Sequence, residues 1–423
     1  MTTTIKDIRA DQILDSRGWP TLQVEVILSD GHSGIAQIPA GASTGSHEAV
    51  ELRDGDRPYE GRSVHRAQSL IHEVIGPALR GKDPSDQIGI DEWMIAQDGT
   101  TQKSRWGGNT ILGVSLAIAQ ASAKSHNMPL YRYWSGGDLK GELPTPQFNV
   151  INGGLHADSG LPIQEFLIIP GGAATFADAL QMGAETYHAL KYRLKKMGYR
   201  TAVGDEGGFA PEIETPEEVF DILLKSIEDA GCVLGRDIAL GIDVAANGMR
   251  RDAQYLWQGR LVDSQTLIAT YQSWISQYPL VSVEDGLAED DWDGWRQLTH
   301  AIGSSCQVVG DDIFVTHKNL VQRGISEGTA NAVLIKLNQV GTVSETLEVM
   351  QLAQLTGWNT VVSHRSGETC DTSLADLAVA LRAGQVKSGA PQRGERIAKY
   401  NQLLLIEAHD SSLPFAGWRW RVK

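Results

Sequence analysis

Five short apolar runs in the second half of the chain each end in a polar or charged residue: Ile238-Ala-Leu-Gly-Ile-Asp243, Leu280-Val-Ser-Val-Glu284, Cys306-Gln-Val-Val-Gly-Asp311, Ala332-Val-Leu-Ile-Lys336 and Thr360-Val-Val-Ser-His364. Successive end residues lie 41, 27, 25 and 28 positions apart, and helical patterns such as 267–275 and 346–353 fill the intervals. Runs of four or five residues rich in Val and Ile are typical of parallel strands buried on both faces. A strand–helix unit repeated every ~25–30 residues predicts a (β/α) barrel, whose strand ends meet at one rim.

The N-terminal part of the chain has a different pattern. Residues 135–147 are dense in Gly and Pro, which marks a boundary. We therefore expect a smaller α+β domain over residues 1–134 and a barrel domain over residues 135–423, in the α/β class. The segment Leu22–Leu28 alternates as a half-buried strand does, with Gly34–Ile38 as its hairpin partner. Helical patterns follow around residues 60–80 and from Asn109, which we interpret as a helix N-cap.

Composition excludes several functional classes. The 423 residues include 37 Lys and Arg against 52 Asp and Glu, a net charge of −15, so we expect no nucleic-acid partner. No run approaches the ~18 apolar residues of a membrane span, and the first residues lack the pattern of a signal peptide. Three widely spaced cysteines without a CxxC pair are typical of free thiols in a reducing compartment. We therefore expect a cytoplasmic protein without a membrane partner.

Three of the strand-end residues are acids: Asp243, Glu284 and Asp311. On one barrel rim their carboxylates would repel one another unless a cation lay between them. Ligation by oxygen alone favours Mg²⁺ over zinc. For any single acid a helix N-cap or a surface charge is the simpler interpretation, but three in register favour a metal site.

The next two runs end in cationic or ionisable groups. Lys336 follows four apolar residues, and close to cations its pKa should fall, as a lysine general base requires. The alternative is a lysine that extends to solvent. His364 is followed by Arg365, Ser366 and Gly367, which together offer a guanidinium, a hydroxyl and exposed amides. This set is suited to a phosphate or carboxylate clamp, and an ordinary polar loop is the alternative.

Acids and glycines earlier in the chain give weaker signals. Glu165 begins an apolar run, and Glu206 lies in the turn 204–208, where glycines let backbone approach a ligand. Neither indicates catalysis alone, because such acids usually form turns. The segment Gly41-Ala-Ser-Thr-Gly45 matches the G-x-S-x-G nucleophile elbow of hydrolases. We prefer to interpret it as a flexible Gly/Ser loop.

The chain resembles the enolase family from Ile13 to Leu404, almost its whole length. The matching segments are Gly41-Ala-Ser-Thr-Gly, Asn152-Gly-Gly-Leu-His-Ala-Asp, Ile163-Gln-Glu-Phe, Gly204-Asp-Glu-Gly-Gly-Phe-Ala-Pro, Val283-Glu-Asp-Gly-Leu, Gly310-Asp-Asp, Ile335-Lys-Leu-Asn-Gln, Val362-Ser-His-Arg-Ser-Gly-Glu-Thr and Gln385-Val-Lys-Ser-Gly-Ala-Pro. The resemblance implies an enolase-type (β/α)8 barrel behind a smaller α+β domain. It also implies a glycolytic lyase that reversibly dehydrates 2-phosphoglycerate to phosphoenolpyruvate.

The resemblance further implies a role for each candidate residue. Lys336 matches the base that removes the proton α to the substrate carboxylate, and Glu206 matches the acid that helps the C3 hydroxyl leave. The implied substrate contacts are His156, Gln164, Glu165, Lys387, Arg365 and Ser366. The implied metal ligands are Asp243, Glu284 and Asp311 for a first Mg²⁺ and the loop residue Ser43 for a second, which arrives with the substrate. Lys–base chemistry with one or two Mg²⁺ ions is a known pattern of enolase-superfamily sites.

The chain departs from the family pattern at four places: Trp19, Ala40, Asn247–Met249 and the loop from Ser159. None replaces an assigned site residue, so these departures concern oligomer contacts and loop closure. The resemblance implies a homodimer or a higher homo-oligomer. Two alternatives stay open. Another acid-dehydratase reaction of the enolase superfamily would not need the clamp at Arg365 and Ser366. A surface or secreted pool that binds plasminogen has only the terminal Lys423 in its favour.

Overall fold

A three-stranded antiparallel sheet and five helices form the N-terminal part of the computed structural model, which describes residues 3–42, 45–137, 141–157 and 160–418. The elements are β1 (Ile5–Leu14), β2 (Pro20–Leu28), β3 (Ser33–Gln37), α1 (His65–Leu70), α2 (Gly76–Leu79), α3 (Gln87–Asp98), α4 (Gly108–Ser125) and α5 (Leu130–Trp134). A π-helical turn, Ile71–Ile75, joins α1 to α2. The predicted hairpin of β2 and β3 is confirmed.

The N-terminal sheet packs against α4. Leu22, Val24 and Val26 alternate along β2 with no exposed surface and belong to the same core cluster as α4. The prediction that Asn109 caps this helix is wrong, because Gly107 occupies the N-cap position. Asn109 instead lies inside α4, where its side-chain amide exchanges two hydrogen bonds with the backbone of Leu52, at 2.8 and 3.2 Å. Its role is to attach the chain after β3 to the helix.

Eight strands close into a barrel in the second part of the chain, which confirms the predicted fold class. Three strands of the barrel come first in the chain: β4 (Thr145–Asn152), β5 (Glu165–Ile169) and β6 (Ala239–Asp243). A small separate sheet follows, formed by β7 (Arg250–Arg251), β8 (Gln254–Trp257) and β9 (Arg260–Val262). The other five barrel strands are β10 (Leu280–Glu284), β11 (Gln307–Gly310), β12 (Ala332–Ile335), β13 (Asn359–Ser363) and β14 (Gly384–Lys387). The five apolar runs therefore form β6 and β10 to β13.

Helices surround the barrel, and five of them begin after a residue whose side chain accepts a hydrogen bond from the first turn. The helices are α6 (Phe176–Lys196), α7 (Pro216–Asp229), α8 (Ser264–Gln277), α9 (Trp292–Ile302), α10 (Lys318–Glu327), α11 (Leu337–Val340), α12 (Val343–Leu355), α13 (Ser373–Ala380) and α14 (Gly394–His409). Thr215 caps α7 and is followed by Pro216, while Asp263 and Asp291 cap α8 and α9 through their side chains. Such residues satisfy the free N–H groups of the first turn. No helix among the described residues combines the length and the apolar character needed to span a bilayer.

One strand departs from the expected parallel pattern. β5 runs antiparallel to both of its neighbours, β4 and β6, whereas the other adjacent pairs in the barrel are parallel. A reversed strand presents its first residue at the rim where the others present their last. Glu165, at the head of β5, therefore pairs in register with Asp243, at the end of β6.

Candidate active site

A polar cavity lies at the rim where the parallel strands end. Ten of the twelve predicted site residues line it: His156, Gln164, Glu165, Glu206, Asp243, Asp311, Lys336, Arg365, Ser366 and Lys387. Glu284 joins this group through a contact with Lys387. Ser43 lies outside the described residues.

The ammonium group of Lys387 lies among three carboxylates. Its Nζ is 2.9 Å from Oδ2 of Asp243, 2.8 Å from Oε1 of Glu284 and 3.2 Å from Oε2 of Glu165. Strand register explains the cluster, because Glu165 and Glu284 are each the cross-strand partner of Asp243. Burial opposes the charge on Lys387, but attraction to the acids, Asp243 foremost, raises its pKa well above the usual value.

The acids around Lys387 are not neutralised by this one cation. Burial and then the charge of Asp243 raise the pKa of Glu284 well above its usual range. Burial and then the charge of Glu206 do the same for the pKa of Glu165. Like-charge repulsion of this kind is what a further cation would relieve. The oxygen-rich donor set therefore fits a hard divalent cation such as Mg²⁺.

Lys336 forms a close ion pair with Asp311, with 2.6 Å between Nζ and Oδ2. Burial works against both charges, yet their mutual attraction raises the pKa of Lys336 and lowers that of Asp311. The attraction to Asp311 outweighs the repulsion from the cations Arg365 and Lys387. The lowering of the lysine pKa that is expected close to Mg²⁺ stays a prediction.

Two groups of described residues have ligand atoms within 4.8 Å of one another and could share a metal ion. One is Asp285, Asp311 and Asp312, and the other is His156, Glu165 and Glu206. In the predicted trio Asp243, Glu284 and Asp311, lysine ammonium groups contact the carboxylates instead. Asp285 is already engaged, because it accepts the backbone N–H groups of residues 311 and 312 at 2.8 and 3.0 Å. Burial and the charge of Asp311 raise the pKa of Asp312 to about 7.

Arg365 is held at the rim by groups from both parts of the chain. Its guanidinium donates to both carboxylate oxygens of Glu48, at 2.9 and 3.2 Å, and to Oδ1 of Asn338 at 2.9 Å. Ser366 accepts the backbone N–H of Ala42 on its Oγ at 2.8 Å. Arg365 is therefore a buried cation paired with Glu48, and its neighbour Ser366 contacts the loop around residue 42. The clamp stays a prediction.

Glu206 is contacted by three nitrogen-bearing side chains. Asn149 donates to its Oε2 at 2.9 Å, Nε2 of His364 lies 3.3 Å from the same oxygen, and Nδ1 of His156 lies 3.7 Å away. Burial opposes ionisation, but the two histidines hold the pKa of Glu206 well below its usual range. The glycine turn is needed here, because a Cβ at Gly204 would lie 2.6 Å from the carbonyl oxygen of His156.

Sequence reasoning left three residues of this region out of the candidate site. His364 ends the fifth apolar run, so the rule that selected the four runs before it could have selected this residue. Glu48 lies 317 positions from Arg365, and its sequence context gives no signal for their contact. Arg396 is completely buried on α14 against His364, and its position in an amphipathic helix resembles that of any surface arginine.

The hydrolase alternative lacks its structural context. A nucleophile elbow joins a strand to a helix, but the first α-helix after Gly45 in the described chain begins at His65.

Two of the residues at which the sequence departs from the family pattern, Trp19 and Asn247, have partners in the structure. Trp19 lies under the guanidinium of Arg62, with 4.3 Å to the ring centroid. Asn247 donates to Asp312 and accepts the backbone N–H of Glu289, both at 2.8 Å. The loop from Ser159 lies partly outside the described residues.

Comparison with known proteins covers nearly all of the chain. Residues 5–134 match the family described as "Enolase, N-terminal domain", and residues 140–421 match "Enolase, C-terminal TIM barrel domain". The curated enolase of Acidothermus cellulolyticus is 54% identical over 414 residues, which cover 98% of this chain and 96% of that protein.

Proposed function

Because the chain belongs to the enolase family, we propose that Lys336 and Glu206 divide its reaction between them. The protein is a glycolytic lyase that interconverts 2-phosphoglycerate with phosphoenolpyruvate and water. One bond to hydrogen breaks at C2 and one bond to oxygen breaks at C3. Lys336 takes the C2 proton, the C2–C3 double bond forms as the C3–O bond breaks, and the hydroxyl leaves as water with a proton delivered at Glu206. The observation that carries this proposal is that both side chains line one cavity.

The other cavity residues are proposed to hold the two anionic ends of the substrate. Lys387 faces the substrate carboxylate, while Arg365 and Ser366 bind the phosphate. Glu48 and Asn338 support this assignment, because they accept hydrogen bonds from the guanidinium of Arg365 and hold it in place. His156 and Gln164 supply further substrate contacts, and Glu165 lies beside Glu206. Removal of the C2 proton adds negative charge to the carboxylate, so cationic groups aimed at it lower the barrier.

Mg²⁺ is the proposed cofactor, with two ions in each active site. Asp243, Glu284 and Asp311 would hold the first, and Ser43 would help to hold a second that arrives with the substrate. The bound cations would supply positive charge against the substrate carboxylate. The uncompensated acids around Lys387 support this assignment.

The remaining proposals concern organisation and location. We infer a division of the chain into residues 1–134 and 135–423, supported by two large and largely separate hydrophobic cores. We also infer a homodimer in the cytoplasm, which rests on the family resemblance. Another superfamily reaction and plasminogen binding gain no support from the comparisons, and Lys423 lies outside the described residues.

The test follows phosphoenolpyruvate formation by ultraviolet absorbance, with Mg²⁺ and with excess chelator. Activity should require Mg²⁺, and Asp311→Asn should lose activity and Mg²⁺ affinity together, because it keeps the side-chain size but removes a charge. Asp376→Asn is the matched control, since Asp376 is also a buried acid but does not line the cavity. Full activity in chelator, or in Asp311→Asn, would reject the metal assignment.

A further inference from the structure

Arg396 makes an unusual set of contacts for a buried arginine. Its side chain is completely buried beneath the cavity. NH1 donates to the carbonyl oxygen of Arg365 and NH2 to that of Ser366, each at 2.6 Å, and NH2 also donates to that of Asp205 at 3.0 Å. In addition, NH1 lies 2.6 Å from Nδ1 of His364.

The contact with Arg396 decides which nitrogen of His364 carries the proton. A guanidinium has only donors and keeps its charge in proteins. Nδ1 of His364 must therefore be the acceptor, and a neutral ring then has its proton on Nε2. Nε2 lies 3.3 Å from Oε2 of Glu206 but is not aligned for a hydrogen bond in this arrangement, so a proton on Nε2 lies beside this carboxylate.

The surroundings of His364 favour a neutral ring. Burial and the positive charge of Arg396 lower the pKa of His364 to about 4, although the carboxylates of Glu206 and Glu368 act in the opposite direction. The main chain of His364 is also held in place, because its backbone N–H donates to the carbonyl oxygen of Lys387 at 2.9 Å.

We propose that Arg396 is a positioning residue that holds His364 as the Nε2–H tautomer, so that this N–H lies beside the Glu206 carboxylate. This inference rests on the proposed role of Glu206 at the C3 hydroxyl. His364 then orients the Glu206 carboxylate together with Asn149, which donates to the same oxygen. With Nδ1 occupied by Arg396, His364 has no free acceptor nitrogen and does not act as a base.

The direct test is ¹⁵N NMR of histidine-labelled protein with intact chain and Mg²⁺ at pH 7. The protein has 11 histidines, so the signals of His364 are assigned by their loss in His364→Gln. The expected spectrum has Nδ1 of His364 at the shift of an unprotonated ring nitrogen and Nε2 at that of an N–H. A protonated Nδ1 would overturn the inference whether or not Glu206 has its proposed role, because this measurement does not depend on turnover.

Arg396→Met tests whether this arginine sets the tautomer. In the folded variant the Nδ1–H form of His364 should appear, and phosphoenolpyruvate formation should fall by about 10–100-fold, the loss seen when outer partners of metal-bound histidines are removed. Exchange of the substrate C2 proton with solvent should continue, since Lys336 is not touched.

The matched control is Tyr400→Phe. Tyr400 is also buried on α14, and its hydroxyl donates to the carbonyl oxygen of Gly389 at 2.7 Å, without a contact to His364. This variant should keep the Nε2–H tautomer. An unchanged tautomer in Arg396→Met would show that something else fixes the ring, and the positioning role would be rejected.

Discussion

Replacement of Lys336 by alanine should separate proton removal from hydroxyl departure. Loss of a positioned base costs about 10²–10⁴ in rate, which at about 1.4 kcal/mol per tenfold corresponds to about 3–5 kcal/mol of barrier. Exchange of the substrate C2 proton with deuterated solvent should therefore disappear from ¹H NMR spectra on the time scale of the unmodified protein. Glu206→Gln should block phosphoenolpyruvate formation but still permit exchange, because Lys336 and the acids around it remain.

The structure also gives the stability cost of this substitution. Lys336→Ala leaves the Asp311 carboxylate, 7% exposed, without its partner at 2.6 Å. Breaking a buried ion pair typically costs about 3–5 kcal/mol, against a total free energy of unfolding of about 5–15 kcal/mol. The hydrogen bond from Gln339 to Oδ1 of Asp311, at 2.8 Å, remains. We therefore expect a folded but less stable variant, as urea unfolding with circular dichroism would measure.

A control distinguishes loss of the base from loss of an ion pair. Lys103→Ala removes another buried lysine, whose Nζ lies 3.0 Å from Glu345 and outside the cavity. This variant should be destabilised but should still exchange the C2 proton. Normal exchange in Lys336→Ala would refute the assignment of the base. If Glu206→Gln also lost exchange, the two roles could not be separated and Glu206 would be needed to hold the site together.

Three further predictions concern other parts of the molecule. Burial raises the pKa of Asp376 from 3.8 to about 7, so its stabilising effect is complete below about pH 4 and is lost as pH rises through 7. The free energy of unfolding of the unmodified protein, measured with urea, should therefore fall by up to about 4 kcal/mol between these two pH values. Asp376→Asn should not show this fall. Arg365→Lys should raise KM about 10–100-fold in steady-state assays, because losing one charge-assisted hydrogen bond to phosphate costs about 1.5–3 kcal/mol, and an unchanged KM would contradict the clamp. Iodoacetamide should label exposed Cys370 in the native protein and buried Cys306 only after unfolding, and mass spectrometry of peptides would show any exception.

Local sequence determined most of the barrel and the reacting groups. Four or five consecutive apolar residues, followed by a polar one, can form a strand only where both faces are buried, and this condition places the last residue at the rim. For this reason Asp243, Glu284, Asp311 and Lys336 could be assigned to one site from their spacing. The hairpin of β2 and β3 followed equally from alternation.

The relations among those residues were decided only by the tertiary structure. The reversal of β5, which brings Glu165 against Asp243, depends on strand pairing that no local pattern records. The same holds for the pairing of Glu48 with Arg365, of Lys336 with Asp311, and of Arg396 with His364. Burial and the charges of distant neighbours set the pKa values and the tautomer, because electrostatic effects depend on distance in space and on exclusion of water. Sequence spacing therefore identified residues of the barrel rim, and folding fixed which groups pair, which hold charge and which hold a proton.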